Sequence, residues 1–264
     1  MKRSLLISLL LASSLGAGEL PELNDQPWIG WFAGYEGKDN HFGVGGDGRG
    51  ALIPLTKDGD HYNSALWFRI QPVVLEKQPD GREFSRKVIE DGWEALSNSG
   101  SDEEKMAYRA TAEGGVVYEV NFEIDDDTVM AGGRIIEKGD GDKPVRLVMR
   151  VLVPDYFRYE RDKDDYEKKY KRDRVELVTA NRKKQKFDLF EEIDAADING
   201  SPIQSANVDF KFRELELQAD AGDAGSFRFW NGRKKPLSMG FTLEWSADPG
   251  KKADGSERFT LRLK

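Results

Sequence analysis

The chain of 264 residues holds two histidines, His41 and His61, and no cysteine. Imidazole chemistry must therefore use those two positions, and thiolate catalysis or cysteine metal ligation is excluded. His41 lies near Asp39, and His61 follows Asp58 and Asp60, in Gly/Asp-rich stretches that read as loops. Two readings stay open. Either the loops converge into a metal or general-base site, or both imidazoles are solvated loop residues, since spacing alone does not bring them together. No G-x-S-x-G elbow supplies a serine nucleophile, and no H-E-x-x-H pair offers a zinc site.

Six tryptophans and eight tyrosines give the sequence flat aromatic faces, the side chains that stack on the apolar faces of sugar rings. Trp67 alternates out of phase with Leu66, Phe68 and Ile70, and Trp230 with Phe227 and Phe229. If those strands have one wet face, both indoles point away from the core and become ligand-binding candidates. Packing bulk is the competing reading. Trp245 shares the apolar phase of Phe241 and Leu243, so it is expected inside.

Two basic clusters interrupt an acidic chain: Arg182-Lys183-Lys184-Gln185-Lys186 and Arg233-Lys234-Lys235. They suit contact with an acidic polysaccharide or lipid head groups, or they are solvated hairpin tips with edge-protecting lysines. The acidic turns Asp125-Asp126-Asp127 and Asp140-Gly141-Asp142 offer oxygen ligands, so calcium is the one cofactor the sequence suggests. Neither turn has the full calcium-loop frame, and Asp and Gly are also ordinary hairpin residues. Gly43 to Gly48 matches G-x-G-x-x-G, but a dinucleotide fingerprint must follow a strand and open a helix. Here Arg49 to Leu55 continues as a short strand, so a bend between two strands is expected.

The elements that must position these residues are written as period-two alternation. Val116 to Ile124, Val129 to Ile136 and Val145 to Val153 read as three antiparallel strands, with Arg146 and Arg150 facing away from the apolar side of the third. Leu66 to Ile70 is another strand, and Pro72 marks its edge or end. Residues 83–113 are the least legible. In the C-terminal third, Val208 to Leu217 is a strand bulged or twisted at Arg213-Glu214. Asn231-Gly232 reverses the chain, Leu237 to Trp245 alternates cleanly, and Phe259 to Leu263 closes it. A short exposed helix falls within Arg158 to Arg174, where Asp164/Lys168, Asp165/Lys169 and Glu167/Lys171 pair at i,i+4. Its Tyr166 and Tyr170 would pack on the sheet. The expected fold is an all-β antiparallel sandwich of two large sheets, with at most that one surface helix.

The N-terminus reads as an address. Lys2 and Arg3 precede the apolar run Leu5 to Leu15, and Gly16-Ala17-Gly18 suits a signal peptidase. Residues 1–18 are thus a signal peptide, too short to anchor in a bilayer, and 19–264 are one β-sandwich domain. No later stretch is apolar enough for a transmembrane helix. A periplasmic or secreted protein without disulfides is expected. The formal charge of −8 gives no support to nucleic-acid binding. These features point first to an exported, non-catalytic protein that binds a glycan or cell-envelope polymer. The alternatives are a carbohydrate-active enzyme, lyase or hydrolase, using a histidine or tyrosine base, and a structural envelope protein.

Overall fold

A computed structural model describes residues 19–154, 163–211, 214–231, 240–248 and 257–264. The leader, the Arg233 cluster, Gly232, Leu237 and Met239 lie outside the described residues, as do the side chains of Tyr166 and Tyr170. The described chain is nearly all antiparallel β. It forms two large layers.

The first layer runs β1 (Trp31–Glu36), β2 (Asn40–Gly45), β3 (Gly50–Pro54), β4 (Phe68–Lys77), β10 (Val145–Pro154), β18 (Gly240–Ala247) and β17 (Gly225–Trp230) in spatial order. The second runs β6 (Val88–Ala95), β7 (Lys105–Ala112), β8 (Val116–Asp125), β9 (Thr128–Lys138), β19 (Arg258–Leu263), β16 (Leu215–Asp220), β15 (Ser201–Phe210), β11 (Arg174–Thr179) and β12 (Lys184–Asp188). The ladders join where Ile203 of β15 pairs with Phe227 of β17.

The layers stack because each strand presents its apolar phase inward. Phe42 of β2 meets Phe122 of β8 at 5.3 Å between ring centroids. Phe68 of β4 meets Phe210 of β15 at 6.1 Å, and Trp245 of β18 meets Phe259 of β19 at 5.5 Å. Met149, Val151 and Val153 of β10 are buried in the same core, opposite the outward Arg146 and Arg150. Trp245 is 1% exposed, as its phase requires.

Several elements differ from the sequence reading. The strands at 116–125 and 128–138 pair, but β10 crosses to the other layer and pairs with β4 and β18 instead. β15 and β16 pair antiparallel, with Phe210 opposite Leu215, so Val208 to Leu217 belongs to two strands rather than one; Arg213, where the pattern breaks, lies outside the described residues. In 83–113, β7 hides its alternation because Ala110 and Ala112 are small members of its apolar phase. Gly43 to Gly48 is a bend as expected: Gly45 N–H donates to the Arg49 carbonyl, and Gly48 has φ 71°. The helix within the charged run is α1 (Lys163–Tyr170).

Pro72 occupies a gap. β3 covers the edge of β4 through Ile70, and β5 (Glu83–Arg86) covers it from Val74. Lys77 N–H points the other way, to the Pro144 carbonyl beside β10, while Gln78 N–H donates to Arg82 beyond β5. By alternation, position 72 faces the uncovered gap, and proline leaves no N–H orphaned there.

Candidate functional site

Directly opposed residues of antiparallel strands share a face. Register therefore assembles two rows across the outer face of the first layer. Arg69, Leu152, Thr242 and Trp230 form one row, ending on Asp194. Gln71, Arg150, Glu244 and Arg228 form the next. Trp67, immediately before β4, shares the outward phase of Arg69 and donates its indole N–H to the Tyr62 carbonyl at 2.7 Å. From β4 to β17 there are three interstrand steps, about 14 Å. Trp67 and Trp230 thus flank a strip whose floor is Leu152, Arg150, Thr242 and Glu244.

Both indoles carry guanidinium groups on their faces. Arg69 lies 5.6 Å from the Trp67 ring, and Arg228 and Arg150 lie 5.1 and 5.8 Å from Trp230. Glu244 is 5% exposed and accepts from Arg150 Nε at 2.9 Å and Arg146 Nη2 at 3.3 Å. Arg146 also grips Glu83 through two bonds of 2.8 Å, which holds the Glu83 carboxyl below its usual range and raises the arginine. Asp194 grips Arg228 in the same two-pronged way at 3.0 Å and raises it. The strip offers aromatic faces for stacking, with fixed guanidinium donors and carboxylate acceptors between them.

The histidines lie on the neighbouring part of the same layer. His41 is in strand β2, not in a loop, opposite Glu36 of β1 and Ile53 of β3. His61 is bridged to Leu55, and its Nε2 lies 2.7 Å from His41 Nδ1. One ring donates and the other accepts, and both are half-buried rather than solvated. Burial lowers the His41 pKa, and His61 lowers it further. Among the described residues, no three His, Cys, Asp or Glu side chains are grouped to hold a metal ion.

Around the pair, β1 to β3 are roofed by tryptophans. Trp28 lies against the cross-strand glycines Gly34 and Gly43, where an added Cβ would fall 2.1 and 2.6 Å from its ring. Trp28, Trp31 and Trp67 then follow in sequence across the face, with centroids 5.6 and 5.7 Å apart. Trp67 ends this roof and begins the strip.

The remaining candidates are elsewhere. Arg182 has φ 63° in the turn before β12, Lys183 is exposed, and Lys184 and Lys186 both bind Glu176 at that edge of the second layer. Arg233 lies outside the described residues. Asp126, with φ 52°, turns the β8–β9 hairpin, and Asp140 N–H donates to the Gly114 carbonyl. Sequence reasoning identified the two indoles singly but not the Arg69, Arg150, Glu244 and Arg228 array. Its signal was there, as charged residues on the outward phases of otherwise apolar strands.

No family model matches the sequence, and no curated protein matches it. Solved structures do share the fold. A galactose mutarotase-like protein from Lactobacillus casei is 9% identical, with a TM-score of 0.53 over 88% of this chain and 99% of that one. A galactose mutarotase-related enzyme from Lactobacillus acidophilus is 8% identical, with a TM-score of 0.50 over 88% and 96%. An alpha-N-acetylgalactosaminidase from Bifidobacterium bifidum, in complex with GalNAc, is 11% identical, with a TM-score of 0.51 over 88% of this chain and 35% of that one. At such identities the likeness is one of fold, a galactose mutarotase-like β-sandwich.

Proposed function

We propose that this chain is an exported saccharide-binding protein that holds its ligand on the outer face of the first layer, between Trp67 and Trp230. One observation carries the reading: two half-buried indoles, each faced by arginine, bracket a strip of polar floor about 14 Å wide. A pyranose stacked on either ring would meet Arg150 and Arg228 as donors and Glu244 as an acceptor for its hydroxyls. The carbohydrate-related names of the fold neighbours support a sugar, and the leader-like N-terminus supports export. The ligand class is a glycan or cell-envelope polymer. Calorimetry on residues 19–264 with mono- and polysaccharides tests the reading. Binding that weakens in Trp67→Ala and Trp230→Ala is expected; failure to bind any saccharide would remove the proposal.

A catalytic second reading is favoured by Glu244, a carboxylate 5% exposed at the centre of the floor. Two of the fold neighbours are described as mutarotase-related or mutarotase-like, so interconversion of aldose anomers is the reaction to examine. Each oxygen of that carboxylate, however, already accepts from a guanidinium, Oε1 from Arg146 and Oε2 from Arg150, so a substrate proton must compete with bonds already made. Polarimetry with fresh α-galactose distinguishes the two readings. Acceleration that disappears in Glu244→Gln would establish the enzyme, and an unchanged rate would establish the binder.

A further inference from the structure

We propose a second ligand pocket at the gap over Pro72, built for a monosaccharide-sized ring bearing a carboxylate, and separate from the strip between Trp67 and Trp230. The gap between β3 and β5 opens a cavity of about 380 Å³ into the edge of the first layer. That volume lies in the ordinary range of small-molecule sites, roughly 300–1,000 Å³. One side is the β2–β3 bend with Arg49, and the other is the Ser85–Val88 stretch with Lys87. The back wall belongs to the second layer, where Trp93 and Tyr108 stand 5.6 Å apart.

The chemistry of the walls selects the ligand. Tyr108 gives its hydroxyl proton to the Gly48 carbonyl at 2.7 Å and is 1% exposed, so it backs Trp93 from within the core. Trp93 is half-buried beside it and offers the indole on which a sugar ring packs. Pro72 and Ser85 complete the lining. Of the three cations, Arg86 is already neutralised. Glu76 binds it together with Lys143, and the Glu76 pKa is held at about 2, so that acid stays ionised. Among the described residues, Arg49 is tied only to Asp47 in the same exposed turn, at 3.4 Å. The Lys87 ammonium has no ion-pair partner among the described residues; it is the backbone that is engaged, the Lys87 N–H donating to the Glu113 carboxylate and the Lys87 carbonyl accepting from the Glu113 N–H. An incoming carboxylate therefore finds two cations opposed by one acid, beside an aromatic wall. Charge at the rim with apolar rings behind describes a sugar acid better than a neutral sugar or a bare anion.

Glucuronate, glucose and acetate, titrated separately into residues 19–264 by calorimetry, test the proposal. Glucuronate should bind at least tenfold more tightly than glucose or acetate, and more weakly as salt rises. Lys87→Ala should weaken glucuronate about tenfold with no change in melting temperature, since the side chain is exposed. The comparison is repeated in Trp230→Ala, where the outer strip is disabled and the Lys87-dependent preference for glucuronate over glucose should remain. Equal binding of glucose, equal binding of acetate, no glucuronate binding, or indifference to Lys87→Ala would each overturn the pocket. Glucuronate binding lost in Trp230→Ala but retained in Lys87→Ala would place the acid on the outer strip, sinking this pocket while the saccharide reading stands.

Discussion

The outer face of the first layer is one surface made in two ways. Over β1 to β3 the strands are floored by Gly34, Gly43 and Ala51, and Trp28 packs against them with Trp31 set edge-on to it. Over β4, β10, β18 and β17 the outward residues include Arg69, Arg150, Glu244, Arg228 and Trp230 with Leu152 and Thr242 between them, and the buried apolar cluster of that face is confined to Val73, Leu75 and Val148 at its far end. The first half removes aromatic surface from water and so contributes to stability. The second keeps charged groups oriented by one another, an arrangement worth little to folding and suited to recognition. The difference follows from side-chain size at one register: small residues invite a roof, and long charged ones keep it off.

Substitutions in the two halves should therefore fail differently. The largest expected effect is on the roofed side, where Trp28→Ala empties a fully buried site and should cost about 3–5 kcal/mol in urea unfolding. A loss below about 1 kcal/mol would mean that Trp28 is not structural packing. On the open side, Glu244→Gln leaves two guanidiniums short of their buried partner. It should cost about 1–3 kcal/mol, visible as a lower denaturation midpoint, and should weaken saccharide binding as well. Trp230→Ala should lower saccharide affinity at least tenfold, about 1.4 kcal/mol or more, with a smaller change in stability than Trp28→Ala. Equal stability losses at Trp28 and Trp230 would erase the contrast between the halves.

Acid sharpens it further. His41 has a lowered pKa in the folded chain, so the unfolded chain takes up the proton first as pH falls. Stability is then fully present above about pH 6.5, the ordinary histidine value, and declines as pH drops below it. A proton added to His41 leaves its Nδ1 able only to donate across the contact with His61. Melting temperature should decrease between pH 7 and 5, and His61→Gln should flatten that slope; a slope unchanged in the variant would assign it to other groups. The smallest effect belongs to the distant basic edge. Replacing Lys184 and Lys186 together should change stability by less than about 1 kcal/mol and leave saccharide binding intact.

The layered fold was legible because its strands alternate on one side with large apolar residues, as at Val145 to Val153 and Phe227 to Phe229. Pairing was less so. β10 follows β9 directly, yet its partners are β4 and β18, because long-range register is fixed by cross-layer packing that local alternation does not record. β7 was obscured by its alanines. At the site, the outward phases of Trp67 and Trp230 could be read from Phe68 and Phe229, but the convergence of His41 with His61 could not. It depends on the return of the 55–67 segment across β3, which places residues twenty apart in contact. The Arg150–Glu244–Arg228 row was equally invisible, since three strands distant in sequence must first be laid side by side.

The final strand, β19, is inserted between β9 and β16 in the interior of the second layer. During synthesis, the ribosome therefore releases the piece that bridges this layer only after β9 and β16 have both been made. Until then the nascent polypeptide carries two unfinished sheet borders, open to adhesion with other chains. A chaperone that shields those borders would raise the yield of intact protein, whereas deleting Arg258 to Leu263 would leave both of them bare.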